Sequence, residues 1–180
     1  MWAISKIAVI GLSASLLCAG GMASAETVSA KVPGTAMPWI IKKKNPDLPY
    51  GKPVVAPLKL TAGMPLQITA TGSTTTVAGG GAFDPSGQPE FICDDHLGGS
   101  GMPFPSMYMG HGFYPVHLNE LVAVFTDGKG KIVKSPFPIG TGMNISVPEG
   151  AEAIQFGLND DIYADNSGEI EVTITSAAAQ

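Results

Sequence analysis

The hydrophobic pattern is clearest near the carboxyl end. Ile170, Val172 and Ile174 alternate with Glu169, Glu171 and Thr173, which predicts a strand with one face buried and the other in water. Residues 66–72 repeat that period, with Leu66, Ile68 and Ala70 set against Gln67, Thr69 and Thr71. Two other stretches are apolar without alternating. Residues 118–126, centred on Leu121-Val122-Ala123-Val124-Phe125, predict a buried strand, and residues 153–158 predict another with little charge.

Shorter pieces fill the rest. Residues 27–32 predict an opening strand. Residues 54–61 predict an apolar extended one, which turns at Ala62-Gly63-Met64-Pro65 into the 66–72 strand. Asp127-Gly128-Lys129-Gly130 is a hairpin turn from which 131–134 returns. Residues 136–140 and 147–151 are further turn-and-strand pieces. Between 26 and 51, Pro33, Pro38, Pro46 and Pro49 forbid a regular helix. No stretch predicts a helix longer than one turn, and no internal repeat is present. The pattern predicts an all-β chain.

Residues 1–25 stand apart from it. Lys6 gives a positive start, 7–18 is an apolar run too short to span a bilayer, and Ala23-Ser24-Ala25 is an A-x-A cleavage site. The expectation is a cleaved signal peptide and a secreted or periplasmic protein, its single domain covering 26–180; a retained anchor is the alternative. Leu17 stands where a small residue should precede a lipidated Cys18. The 155 residues left after cleavage suit one domain that buries about 70% of its unfolded surface. With a net charge of −5 and no arginine, the chain lacks the basic footprint that nucleic acid or an anionic membrane needs. Neither is expected as a partner once the signal peptide is gone.

Only Cys93 survives cleavage, so no intrachain disulfide can form. It lies in the apolar run 91–93, where lone cysteines are usually inert. His96 is the nearby group that could activate a thiol. Cys93-Asp94-Asp95-His96 offers too few Cys and His for tetrahedral zinc.

The loop between the last two predicted strands carries the most distinctive chemistry. Asp160, Asp165 and Asn166 put two carboxylates and an amide within seven residues. Calcium takes several oxygens at about 2.3–2.6 Å, from side chains and backbone together, whereas magnesium keeps more of its water. The EF-hand spacing is absent. Asp, Asn, Ser and Gly are equally the residues of a polar turn, and spacing alone does not separate the two readings.

Asn159-Asp160, then Asp165-Asn166-Ser167-Gly168, then an alternating final strand, resembles the end of the bacterial calcium-dependent galactose lectins of the PA-IL type and of related secreted domains. The resemblance covers 54–175 apart from 98–119. It implies a galactose-binding-like, jelly-roll β-sandwich holding one calcium ion. By that resemblance Asp160, Asp165 and Asn166 are the side-chain ligands, and the carbonyls of Ile162 and of Thr75 or Thr76 complete the shell. Sugar hydroxyls then bind the ion directly, with Asp160, Asp161 and Asp165 beside them. Gln88 matches the glutamine of the family's His-Pro-x-Gln sugar contact. Besides a calcium loop two residues shorter than the family's, which leaves Ile162 as the nearest match for the loop carbonyl, the chain departs from the family at two residues: Asp165 stands where the family has Asn, and Asp84 where it has the His. The first adds a carboxylate for calcium and removes an amide donor. At the second, Asp84-Pro85 is equally a plain turn.

The family has no counterpart to residues 98–119, a long Gly-, Pro- and Met-rich loop. Its Met102, Met107, Met109, His111 and His117 are soft ligands that raise the question of copper, although Met also fills irregular surfaces. Tyr108, Phe113 and Tyr114 could equally form an apolar wall for a sugar ring. Trp39 with Ile40 and Ile41 reads as a seal on the core edge or as an aromatic platform, and Lys42-Lys43-Lys44 as a solvated run.

The expected function is therefore that of a secreted, calcium-dependent, carbohydrate-binding protein, with a homo-oligomer as the common route to avidity at such weak sites. The rival is a structural or adhesion domain of the cell envelope, in which calcium only rivets the loop. No enzyme is expected, because G-x-S-x-G, H-E-x-x-H and a carboxylate pair suited to glycoside hydrolysis are absent.

Overall fold

The structure is a computed structural model, and it describes residues 25–39, 51–77, 79–93, 116–160 and 162–176. These form ten strands: β1 (Thr27–Pro33), β2 (Val54–Val55), β3 (Pro65–Thr75), β4 (Gln88–Cys93), β5 (Val116–Leu118), β6 (Leu121–Thr126), β7 (Phe137–Pro138), β8 (Gly142–Ser146), β9 (Ala153–Leu158) and β10 (Ser167–Ser176). There is no helix among the described residues.

Every strand pairing is antiparallel. One sheet runs β1-β10-β3-β8, a second β2-β9-β6-β7, and β4 pairs with β5 in a ribbon. Register explains the alternation. Ala30, Val172 and Ala70 stand in one row, and Val28, Ile174 and Ile68 in another. A slip of one residue would send every one of these to the solvent face. In the second sheet Leu121, Ala123 and Phe125 oppose Leu158, Phe156 and Ile154. Both inner faces contribute to one core, so the chain is an all-β sandwich. The two sequence patterns map onto it directly: alternating β10 has one wet face, and β6 is buried along its whole length.

Some elements differ from the pattern. The strand predicted over 118–126 is broken into β5 and β6 at Asn119, which sits at φ 62°. The one predicted over 54–61 pairs only at Val54 and Val55. Ala56 still donates its N–H to Ile154 O at 3.0 Å, but Pro57 has no N–H to continue the ladder. Residues 131–134 return only through a bridge from Ile132 to Thr126 and the Val133 N–H on Phe125 O. β8, which no pattern predicts, forms an edge of the first sheet. Trp39 packs against the core. Residues 1–24 of the signal peptide, Ile40 to Lys44, His96 and the 98–115 part of the insertion lie outside the described residues.

Segment 36–38 crosses β9 at close quarters. Leu158 N–H donates to Ala36 O and Gln155 Nε2 to Pro38 O, both at 3.0 Å. A Cβ on Gly157 would overlap the backbone of Met37 and Pro38, so the crossing requires glycine there.

Candidate metal centre

The loop 159–166 leaves the second sheet after β9 and enters the first at β10, so it spans the end of the sandwich. Tyr163 anchors its middle: the side chain is buried, and Oη donates to Leu158 O at 2.7 Å. Asp160 and Asn166, on either side, are only 6% and 7% exposed. Asn166 Nδ2 donates to Asp160 Oδ2 at 2.8 Å and to Gly34 O at 3.0 Å, while Ile162 N–H donates to Asp160 Oδ1 at 3.2 Å. A carboxylate this deep requires compensation. The donors named here are neutral amides, which solvate its charge without neutralising it.

Two oxygens of the candidate ligand set are among the four buried side-chain oxygens without a hydrogen-bond donor in the described residues. Because Asn166 points both of its N–H groups at Asp160 and Gly34, its Oδ1 is turned elsewhere, and that atom is buried without a hydrogen-bond partner. Asp165 Oδ1 is in the same state. A buried acceptor with no donor costs about 1–3 kcal/mol, and a cation relieves it. The donor set is entirely oxygen, which suits calcium chemistry. Among the described residues no three of His, Cys, Asp and Glu come together as metal ligands, at this loop or elsewhere, so the candidate set rests on Asn166 and backbone oxygens beside its carboxylates.

The end of β3 pairs with the start of β10, directly after this loop. Thr75 Oγ1 and Ser167 Oγ are 2.9 Å apart, and Ser167 N–H donates to Thr75 Oγ1 at 3.1 Å. The structure thus brings Asp160 and Asn166 into contact, sets half-buried Asp165 next to Asn166, and places Thr75 beside the residue that follows. The Ile162 side chain is 48% exposed, with its N–H turned in to Asp160. Asp161 lies outside the described residues. Sequence reasoning missed Gly34, whose carbonyl orients Asn166. A Pro-Gly turn is visible at 33–34, but nothing local connects it to a residue 132 positions away.

The residues expected to contact a sugar sit differently. Asp84 is exposed, and its Oδ1 accepts the Ser86 N–H at 2.8 Å, so it caps the Asp-Pro turn. Gln88 is buried, and its Nε2 donates to Thr76 Oγ1. A shallow cavity of about 290 Å³ lies at this turn, lined by Phe83, Asp84, Ser86, Pro89 and His117.

In its lining His117 Nδ1 lies 3.1 Å from Ser86 O, and His117 N–H donates to Glu120 Oε2 at 2.9 Å. Burial pushes the Glu120 carboxyl above its ordinary 4.5, a rise that the His117 N–H and ring only partly offset. The folded state therefore holds the Glu120 proton more tightly than the unfolded chain. Glu120's contribution to stability is full below about pH 4.5 and is lost as pH rises through the raised value. Glu120→Gln is expected to flatten the fall in melting temperature across that interval, and to leave the protein at least as stable as the wild type at pH 7. Parallel melting curves with an unchanged slope would contradict this.

No protein-family model matches the chain, and neither does any curated protein. Among solved structures it is similar to the EclA N-terminal domain, described as a PllA-like lectin. The identity is 19% over 83% of this chain and 95% of that one, with a TM-score of 0.46. A likeness that distant assigns neither a site nor a ligand.

Proposed function

We propose that this is an exported, calcium-dependent, carbohydrate-binding protein of the PA-IL-like kind. The observation that supports the reading is the pair of buried, donorless oxygens, Asp165 Oδ1 and Asn166 Oδ1, in the same loop as the buried Asp160 carboxylate. Calcium bound there would offer open coordination positions at which vicinal sugar hydroxyls replace water. The chain's own residues do the rest. Asp160 is held by Ile162 N–H and by Asn166, and Gly34 O fixes the Asn166 amide so that its Oδ1 is presented. Asp165, half-buried, extends the ligand set toward solvent, where it can accept a hydroxyl hydrogen bond. Export rests on the Ala23-Ser24-Ala25 site, with β1 beginning at Thr27 just beyond it.

A glycan array probed with and without a calcium chelator tests this. Spots that bind with calcium and vanish with chelator are expected. A blank array in calcium would leave the second reading, in which the ion is structural and the domain serves envelope packing or adhesion. That reading is favoured by one observation: Gln88 is turned into the protein and Asp84 is engaged by its own turn, so neither is offered to a sugar.

A further inference from the structure

We propose that Asn119 is a positioning residue that sets the gap between the two loops of the calcium site, and with it the affinity for the ion. The inference rests on the calcium reading above and concerns a residue outside the ligand set. Asn119 is fully buried and adopts the left-handed backbone conformation at the break between β5 and β6. Its N–H donates to Asn159 O at 2.8 Å, directly before Asp160. Its Nδ2 donates to Thr74 Oγ1 at 2.6 Å, and Thr74, itself fully buried, directly precedes Thr75 and Thr76. Asn119 thus joins the end of β3 in one sheet to the end of β9 in the other. These are the two places from which the candidate ligands project.

The rest of the break grips the same point. Asn159 N–H donates to Glu120 O, and Asn159 Nδ2 to His117 O, both at 2.9 Å. Those contacts hold the base of the 159–166 loop against the break between β5 and β6, while the Asn119 side chain reaches across to the first sheet. Folding alone does not call for this residue. Glycine adopts φ 62° without steric cost, and the asparagine leaves its Oδ1 buried with no partner, an arrangement that stability disfavours. A strained, incompletely bonded residue beside a candidate site points to a role in that site. Partners that hold metal ligands in place typically change affinity ten- to a hundredfold when removed.

The test uses the mature protein and its Asn119→Gly, Thr74→Val and Asn119→Asp variants, with calcium titrations by calorimetry and melting in excess chelator. Asn119→Gly keeps the backbone conformation and removes the strut. Thr74→Val removes its acceptor at nearly constant shape. Each is expected to weaken calcium binding about ten- to a hundredfold while melting in chelator within a few degrees of the wild type. The double variant should be no weaker than the worse single one, because both break one link. Asn119→Asp, which can accept the Thr74 hydroxyl proton, should recover most of the affinity. Wild-type affinity in both single variants, with a lower melting temperature in chelator, overturns the proposal. Should Asn119→Gly not fold, Thr74→Val decides alone. A wild-type protein that takes up no calcium overturns this proposal together with the reading it rests on.

Discussion

Asp160→Ala is expected to abolish the rise in melting temperature that calcium gives the wild-type protein. An ion that binds only the folded state at one hundred times its Kd stabilises by about 2.7 kcal/mol. For a domain of this size that corresponds to a shift of about 5–11 °C. Asp160 is the most buried carboxylate of the ligand set and the one held by two N–H groups, so its loss removes both charge and geometry. In chelator the substitution has opposing effects: Ile162 N–H and Asn166 Nδ2 lose an acceptor, while the cost of burying a carboxylate disappears. The difference between the calcium and chelator curves is therefore the informative quantity. A variant that keeps the wild-type shift would place the ion elsewhere.

The largest effect on folding is expected at Gly157. A methyl group there has to enter the space of the Met37 and Pro38 backbone, and neither can yield as the tip of a flexible side chain would. Relief means moving segment 36–38 off β9, which breaks the bonds from Leu158 N–H to Ala36 O and from Gln155 to Pro38 O. Gly157→Ala is expected to cost about 3 kcal/mol, lowering the melting temperature by about 6–12 °C. Urea unfolding of the variant checks this, and a midpoint equal to the wild type's would show that the segment does not press on the strand.

Those two residues mark the boundary of what local sequence pattern can reveal. β10 and β3 were legible because alternation is itself the consequence of one buried face, and β6 because an unbroken apolar run has no wet face to decorate. Asp160, Asp165 and Asn166 were legible as a cluster of oxygens, since all three lie in one short loop. Nothing local announces that Gly157 must admit another segment, or that the Gly34 carbonyl orients Asn166, because both depend on chain brought in from more than a hundred positions away. Gln88 shows the related limit: a sequence names the amide but not the direction in which it points, and here it points at Thr76. The Asn119 break had a visible sign, an asparagine interrupting an apolar stretch, yet its partners Thr74 and Asn159 come from separate strand ends.

A calorimetric titration of calcium into chelator-stripped wild-type protein bears most directly on the site. Saturable uptake of one ion per chain, lost in Asp160→Ala, is the predicted result. No heat of binding, together with a melting temperature indifferent to calcium, would mean that the buried oxygens of Asp165 and Asn166 serve a turn and no ion.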